Sequence, residues 1–90
     1  MLDKTFKYQL KSKAHSLKPV VLLGNKGLTA AVMAETEQML LVNELIKIKL
    51  TGIERDERKV VAEKICNDLS AEFIQLIGQI VTIYRKKIDN

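Results

Sequence analysis

Residues 19–29 read Pro-Val-Val-Leu-Leu-Gly-Asn-Lys-Gly-Leu-Thr, and this stretch decides how the chain folds. A run of four apolar residues stops at Gly24, and Gly27 closes a short loop that carries Lys26. Glycine adopts backbone conformations that a Cβ forbids, so the pattern predicts a strand, a tight turn and a helix beginning near Thr29. The first N–H groups of a helix are unpaired and carry positive partial charge. The stretch therefore predicts an anion site, with phosphate as the first candidate, although glycine pairs also occur in plain turns.

The residues before this stretch predict an amphipathic helix over 3–17, which ends because the residue before Pro19 is pushed out of the α region. At about 100° per residue, its apolar stripe consists of Phe6, Leu10, Ala14 and Leu17. A second arc, bordered by Tyr8 and His15, carries Lys4, Lys7, Lys11 and, if the last turn is helical, Lys18. We expect the stripe to pack on a core. The basic arc is either a solvated face or part of a binding surface.

The rest of the chain alternates strands and helices. Residues 19–23 are apolar on both faces, which predicts a strand that is central or covered on both sides. A second helix over 29–43 has an inner face made of Val32, Met33, Thr36, Met39 and Leu40. Residues 45–50 predict a strand whose buried face carries Ile46, Ile48 and Leu50 and whose solvent face carries Lys47 and Lys49.

Acids at Glu54, Asp56 and Glu57 predict the beginning of a third helix, since carboxylates suit the positive end of a helix dipole. Its buried stripe consists of Val61, Ala62, Ile65, Cys66 and Leu69. Residues 72–77 and 80–85 predict a hairpin through Gly78-Gln79. The order is then α-β-α-β-α-β-β. Right-handed crossovers would place the second and third helices on one face of the sheet, with the first helix left to cover part of the first strand.

Composition narrows the class of protein. Ninety residues predict a single domain over 1–90, and the lone Cys66 excludes an internal disulfide framework. No apolar run approaches the roughly 18 residues that span a bilayer, and the first residues are too polar for a signal peptide. We therefore expect a soluble cytoplasmic protein with no membrane partner. The net charge of +4 is modest, so the placement of the cations matters more than their excess.

Enzymatic chemistry is not expected. The chain has one histidine, His15, and one cysteine, which are too few for a usual metal cluster. No third group is evident to orient a Cys–His pair. The loop from Gly24 to Gly27 is too short for the GxxxxGK[ST] phosphate loop, and a GxGxxG motif is absent. We predict no catalytic residue, no metal, no cofactor and no small-molecule substrate.

Three segments, in their order and spacing, resemble the CRM domain, which is named for chloroplast RNA splicing and ribosome maturation. They are Ala14-His15-Ser16-Leu17-Lys18-Pro19-Val20-Val21, Gly24-x-x-Gly27-Leu28-Thr29 and Glu44-Leu45-Ile46-Lys47-Ile48-Lys49. Ile77-Gly78 and Ile83-Tyr84-Arg85 fit as well, and the likeness is greatest to the stand-alone bacterial form, the YhbY-like RNA-binding proteins. The resemblance implies a compact two-layer α/β (α+β) domain with a four-stranded mixed sheet, similar to the C-terminal domain of translation initiation factor three. Asn43 departs from the family, since many members carry histidine there.

The resemblance also implies RNA binding, and in bacterial members an association with precursors of the large ribosomal subunit. By position, the family's GxxG loop corresponds to Gly24, Asn25, Lys26 and Gly27, and its basic strand to Lys47 and Lys49. The residues themselves add a wider field of Lys4, Lys7, Lys11, Lys18 and Arg85. Because aromatics for a stacking platform are missing, we expect recognition of RNA backbone and shape. The alternative is a protein-interaction module that docks on a ribosomal protein or assembly factor through the apolar stripe of the first helix or an uncovered sheet face.

Overall fold

A computed structural model of the 90-residue chain describes residues 2–87. Its helices are α1 (Lys4–Ala14), α2 (Ala30–Val42) and α3 (Arg58–Leu69). Its strands are β1 (Val21–Leu22), β2 (Leu45–Lys49), β3 (Glu72–Ile77) and β4 (Ile80–Tyr84). The predicted order of elements and the α+β class are confirmed. No helix within the described residues is long and apolar enough to cross a bilayer.

Short polar side chains fix where α1 and α2 begin. Asp3 Oδ1 accepts a hydrogen bond from the Phe6 N–H at 2.7 Å. Thr29 Oγ1 accepts one from the Val32 N–H at 3.2 Å. Each bond satisfies an N–H group that has no partner inside its helix, so Thr29 is the N-cap that the sequence predicts.

The four strands form one mixed sheet in the order β1-β2-β4-β3. β1 runs parallel to β2, whereas β4 is antiparallel to both β2 and β3. The hairpin between β3 and β4 is confirmed, and its turn begins at Gly78 with φ +58°, a value that favours glycine.

The prediction that β1 is central or covered on both sides is wrong. β1 lies at the edge of the sheet, and only Val21 and Leu22 pair with β2. Val21 and Leu23 are buried, but the Leu22 side chain is 60% exposed. The apolar run therefore has one buried face and one exposed face. Hydrophobicity alone cannot show which of its side chains are exposed.

The main core lies between one face of the sheet and the helix pair α2 and α3. The predicted inward side chains of β2, Ile46 and Ile48, are buried there with Leu40 of α2 and Ile65 of α3. Both helices pack on the same hydrophobic cluster, so their predicted placement on one face is confirmed. Thr36 is the polar residue buried in α2, and its hydroxyl donates to the Val32 carbonyl at 2.8 Å.

α1 packs on the opposite face of the sheet. Leu10 is buried against Ile74 and Tyr84, with Phe6 beside them. The Phe6 and Tyr84 rings meet edge to face, with centroids 5.4 Å apart and planes at 84°. Tyr84 follows the core residue Ile83, and successive side chains of a strand point to opposite faces. This packing therefore lies on the far side of the sheet from α2 and α3.

The position of α1 changes two expectations. It packs across β2 and β3 rather than over β1, and it adds a partial third layer to the predicted two-layer domain. It also ends at Ala14, three residues earlier than predicted, so Leu17 lies outside the helix and is 37% exposed. Residues 15–17 instead form turns, with their N–H groups bonded to carbonyls three residues before.

Candidate nucleic-acid interface

α1 covers only one end of its face of the sheet, and the rest of that face is open. This open sheet face consists of Lys47 and Lys49 from β2, Gln75 and Ile77 from β3, and Ile80 and Thr82 from β4. Directly paired residues project to the same side of a sheet. The register pairs Thr82 with both Lys47 and Gln75, and Ile80 with both Lys49 and Ile77.

A β-bulge in β3 completes this surface. The register shifts between Phe73 and Gln75, which leaves Ile74 as the extra residue. Ile74 packs under α1, and Gln75 stands opposite Thr82 on the same face. Regular alternation would have turned Gln75 toward α3 with Phe73. Gln75 and Thr82 are therefore not predicted from the sequence, in which the only signal for each is a polar residue within an apolar strand.

The charged side chains of the open sheet face are both lysines. Lys47 Nζ donates to the Leu17 carbonyl at 3.2 Å, which holds its ammonium group beside the exposed Lys18 and the segment leading into β1. Neither Lys47 nor Lys49 forms an ion pair with another described residue. The predicted placement of both lysines opposite the core side of β2 is confirmed, and the face carries uncompensated positive charge.

The two flanks of α1 face different parts of the molecule. Lys13, on one side of the buried stripe through Leu10, lines a hollow with Glu44 at the beginning of β2. At about 100° per residue, Lys7 and Lys11 fall on the other side of that stripe. Both are half-buried. Because Lys13 faces Glu44 at the covered end of the sheet, we infer that the opposite flank is the one toward the open sheet face. Lys4, exposed at the beginning of the helix, continues the same arc.

The GxxG loop is a tight turn at the end of β1. The Gly27 N–H donates to the Gly24 carbonyl at 3.0 Å, and Gly27 has φ +72°. Asn25 and Lys26, between the two glycines, are exposed. Beyond the turn, the Val32 N–H donates to Thr29 Oγ1. The N–H groups of the first two residues of α2 have no partner inside the helix. The turn therefore leaves Asn25 and Lys26 exposed close to the beginning of α2.

The loop and the open sheet face meet at one end of the sheet. The Leu23 N–H donates to the Lys49 carbonyl at 3.0 Å, one residue before the loop begins at Gly24. The Leu50 N–H donates to the Gln79 carbonyl at 2.7 Å, which brings the hairpin turn to the same end. Lys49 therefore lies between the GxxG loop and Lys47. The structure brings Lys18, Lys47, Lys49 and the GxxG loop to neighbouring positions.

Arg85 is separated from the other predicted site residues. Its Nη1 and Nη2 donate to the two carboxylate oxygens of Glu37 at 2.7 and 2.9 Å, and Nη1 also donates to the Leu69 carbonyl at 3.0 Å. The hydrogen bond from Arg85 holds the pKa of Glu37 below its ordinary value, and the same bond raises the pKa of Arg85. The guanidinium group thus joins the end of β4 to α2 and α3, on the side of the sheet away from Lys47. We leave it out of the interface.

Two cations on the α3 side of the molecule, Arg58 and Lys64, also have protein partners. Lys64 Nζ pairs with Asp68 Oδ2 at 2.9 Å. Arg58 Nε donates to the Ile53 carbonyl at 3.0 Å, and its Nη1 to the Gly78 carbonyl at 3.4 Å. These bonds tie the β2–α3 loop to the hairpin turn.

The side chains that could carry metal or thiol chemistry are not assembled. Among residues 2–87, no group of three or more His, Cys, Asp and Glu side chains could hold a metal ion. Cys66 is buried in α3, and burial raises the pKa of its thiol to about 11. The thiol therefore behaves as a small apolar side chain, as the sequence predicts. His15 is exposed just after α1.

Comparison with known proteins identifies the family. The sequence model described as the CRS1 / YhbY (CRM) domain matches residues 2–85. The chain belongs to the CRM domain family. The "Probable RNA-binding protein PA4753" of Pseudomonas aeruginosa is 42% identical over 80 residues, which cover 89% of this chain and 77% of that protein. An "RNA-binding protein" of Haemophilus influenzae is 43% identical over 76 residues, which cover 84% of this chain and 77% of that protein.

The CRM fold is also seen in a solved structure. The solution structure of the hypothetical protein SAV1595 from Staphylococcus aureus superposes with a TM-score of 0.86 at 30% identity, over 100% of this chain and 94% of that one. The relatives named above are RNA-binding proteins by name rather than enzymes. RNA binding is therefore the function of the family to which this CRM chain belongs.

Proposed function

We propose that this CRM protein binds ribosomal RNA in precursors of the large ribosomal subunit, in the cytoplasm, without catalysing a reaction. One observation carries the RNA part of the proposal. Lys18, Lys47, Lys49 and the GxxG loop lie on neighbouring parts of one surface, and none of these lysines forms an ion pair with another described residue. The ribosomal target follows from the family likeness, since its stand-alone bacterial members associate with such precursors.

In this proposal the GxxG loop approaches a phosphate through backbone. Glycine at positions 24 and 27 keeps the turn free of side-chain bulk, and unpaired N–H groups at the beginning of α2 favour an anion beside it. Lys26 supplies a direct charge contact, and Asn25 a polar one. A phosphate backbone carries charge at every nucleotide, so one loop alone gives little affinity.

The remaining contacts follow the RNA backbone away from the loop. Lys49 and Lys47 continue from the loop along β2, and Lys18 lies beside Lys47. Lys11, Lys7 and Lys4 then extend the track along α1. This arrangement fits an extended segment or the junction of a structured RNA better than a single phosphate.

The test is binding of labelled fragments of large-subunit ribosomal RNA over a salt series, measured by fluorescence anisotropy. We expect Lys26→Ala and Lys47→Ala each to weaken binding and to flatten the slope of log K against log[salt] by about 0.7 to 0.9. Lys59→Ala is the matched control, because Lys59 is exposed on α3, on the far side of the sheet. Circular dichroism of each variant checks the fold. Equal slopes for the wild type and all three variants would contradict the proposed interface.

A second candidate is docking on a ribosomal protein or assembly factor. The apolar stripe of α1 is not available for it, because Leu10 and Ala14 are buried against the sheet. The end of α2 favours this candidate, since Leu41 and Val42 are 56% and 61% exposed. Association with ribosomal particles through this apolar surface would survive high salt and RNase treatment. Attachment through RNA would be lost under either condition.

A further inference from the structure

The open sheet face contains a pocket in addition to its lysines. The pocket has a volume of about 170 Å³, and its lining residues are Pro19, Lys47, Gln75, Ile77, Ile80 and Thr82. A cavity of roughly 150 Å³ is large enough to hold benzene in another protein, so this one can take a single six-membered ring. It lies in the part of the sheet that α1 leaves uncovered.

The chemistry of the pocket suits a ring with a polar edge. The Pro19 ring and the Ile77 and Ile80 side chains supply apolar walls. The half-buried Gln75 amide supplies polar atoms, and Thr82, which is 1% exposed, lies at the floor of the pocket. Neither of these two polar side chains is hydrogen-bonded to another described residue. The amide offers a donor and an acceptor, and the hydroxyl can act as either, so together they can meet the edge of a nucleobase.

The lysines beside the pocket indicate that the ring is attached to phosphate groups. Lys47 lines the pocket, with its ammonium group anchored 3.2 Å from the Leu17 carbonyl, and two of its three donors remain free. Lys18 precedes Pro19, and Lys49 is two residues further along β2. None of the six lining residues is acidic. A ring that enters here therefore has cations positioned for the phosphates on either side of it.

We propose that this pocket holds the base of one unpaired pyrimidine nucleotide of RNA, read by Gln75 and Thr82 between Pro19 and the isoleucines. The inference rests on the proposed RNA-binding function and adds base selection to backbone contact. The pocket uses aliphatic walls and a polar floor, so it does not require the aromatic platform that the sequence lacks. A pyrimidine places a single ring among these side chains, whereas a purine must also place its second ring there or leave it in solvent.

The test uses labelled oligouridine, oligocytidine and oligoadenosine of about ten nucleotides, together with an oligouridine of the same length in which all bases are removed. We expect the wild-type protein to bind both pyrimidine oligomers about tenfold more tightly than oligoadenosine. The abasic oligomer should bind at least about tenfold more weakly than oligouridine, because it loses the hydrogen bonds and apolar contacts of the base. Gln75→Leu and the double variant Gln75→Leu/Thr82→Val should reduce the pyrimidine preference to about one and leave the salt slope unchanged.

Two controls separate base selection from backbone contact. Gln38→Leu changes an exposed glutamine of α2, outside the pocket, and should keep the full preference. Lys26→Ala should weaken binding to every oligomer alike. Thermal unfolding confirms that each variant is folded. If the buried Thr82→Val change destabilises the chain, the pyrimidine preference of Gln75→Leu alone tests the proposal.

The outcomes distinguish the two proposals. Equal affinity for all oligomers, a preference for adenosine, or a pyrimidine preference that survives Gln75→Leu overturns the base pocket. If ribosomal RNA fragments still bind in a salt-dependent manner in that case, the proposed function stands. If the wild-type protein binds neither the fragments nor the oligomers, the proposed function is wrong and the base pocket is wrong with it.

Discussion

Within the GxxG loop, Gly27 is the position whose backbone conformation most strongly requires glycine. Gly27 has φ +72°, whereas φ of Gly24 is negative. A Cβ added at either position would meet no atom closer than 3.9 Å. The cost of a side chain at Gly27 therefore comes from backbone strain rather than from a clash.

We predict that Gly27→Ala lowers the free energy of unfolding by about 1–2 kcal/mol, measured by urea denaturation. Gly24→Ala is the matched control in the same turn and should stay within about 0.5 kcal/mol of the wild type. Equal losses at the two positions would mean that the strain at Gly27 is not what fixes the turn.

Cys66 gives a second prediction at the residue scale. Burial raises the pKa of its thiol to about 11 from an ordinary value of 9.0, and the thiolate is the reactive form. We therefore expect native Cys66 to react with iodoacetamide at pH 8 roughly 100-fold more slowly than a free thiol. The unfolded chain in guanidinium chloride should react at the ordinary rate. Rapid labelling of the folded protein would show that the thiol is accessible.

At the scale of elements, the Arg85–Glu37 ion pair joins β4 to α2. The Arg85 side chain is 21% exposed and the Glu37 side chain 36%, so water screens the pair only in part. Because the pKa of Glu37 is lowered in the folded chain, its contribution to stability is present above the ordinary glutamate pKa of 4.5. That contribution is lost as the pH falls through the folded-state value.

We predict that Glu37→Gln lowers the free energy of unfolding by about 1 kcal/mol at neutral pH, after allowance for solvent screening. The difference between variant and wild type should shrink below about pH 4 and vanish once Glu37 is protonated. Denaturant melts at several pH values measure this. Glu35→Gln, which removes an exposed carboxylate from the same helix, should have little effect. A Glu37→Gln deficit that is the same at pH 3 and pH 7 would exclude the ion pair as its cause.

For the whole molecule, the distribution of charge over the two sides of the sheet matters more than the net charge of +4. Lys47→Glu/Lys49→Glu and Lys59→Glu/Lys64→Glu lower the net charge by the same amount, but the first pair lies on the open sheet face and the second on α3. We expect the first double variant to reduce ribosomal RNA affinity by at least about 100-fold at physiological salt, and the second by less than about fivefold. Filter binding measures both, and equal losses would indicate binding by net charge alone.

Much of the fold could be predicted from local pattern. Thr29 was identified as a cap, the alternation of β2 placed Lys47 and Lys49 opposite the core, and Gly78 marked the hairpin. These features depend on residues that are neighbours in the chain, where periodicity and capping chemistry act directly. The GxxG loop was identified on the same grounds.

The features that the sequence could not predict are relations between distant segments. Arg85 resembled any other surface cation in the sequence, and only the folded chain brings it to Glu37, 48 positions away. The bulge at Ile74 leaves no clear mark in the sequence, yet it turns Gln75 to the face opposite the one that alternation indicates. The base pocket was missed for that reason.

The sequence by itself determined the elements, their order, the turn residues and the family, because helix periodicity, strand alternation and glycine conformation are local properties of the chain. Only the tertiary structure decided that β1 is an edge strand, that α1 covers one end of the sheet face opposite α2 and α3, and that Lys47 and Lys49 lie on the uncovered part of that face. Those outcomes depend on which apolar surfaces bury each other across the whole domain. The hydrophobic effect is non-directional. Many tertiary arrangements of the same helices and strands could therefore bury the same apolar residues.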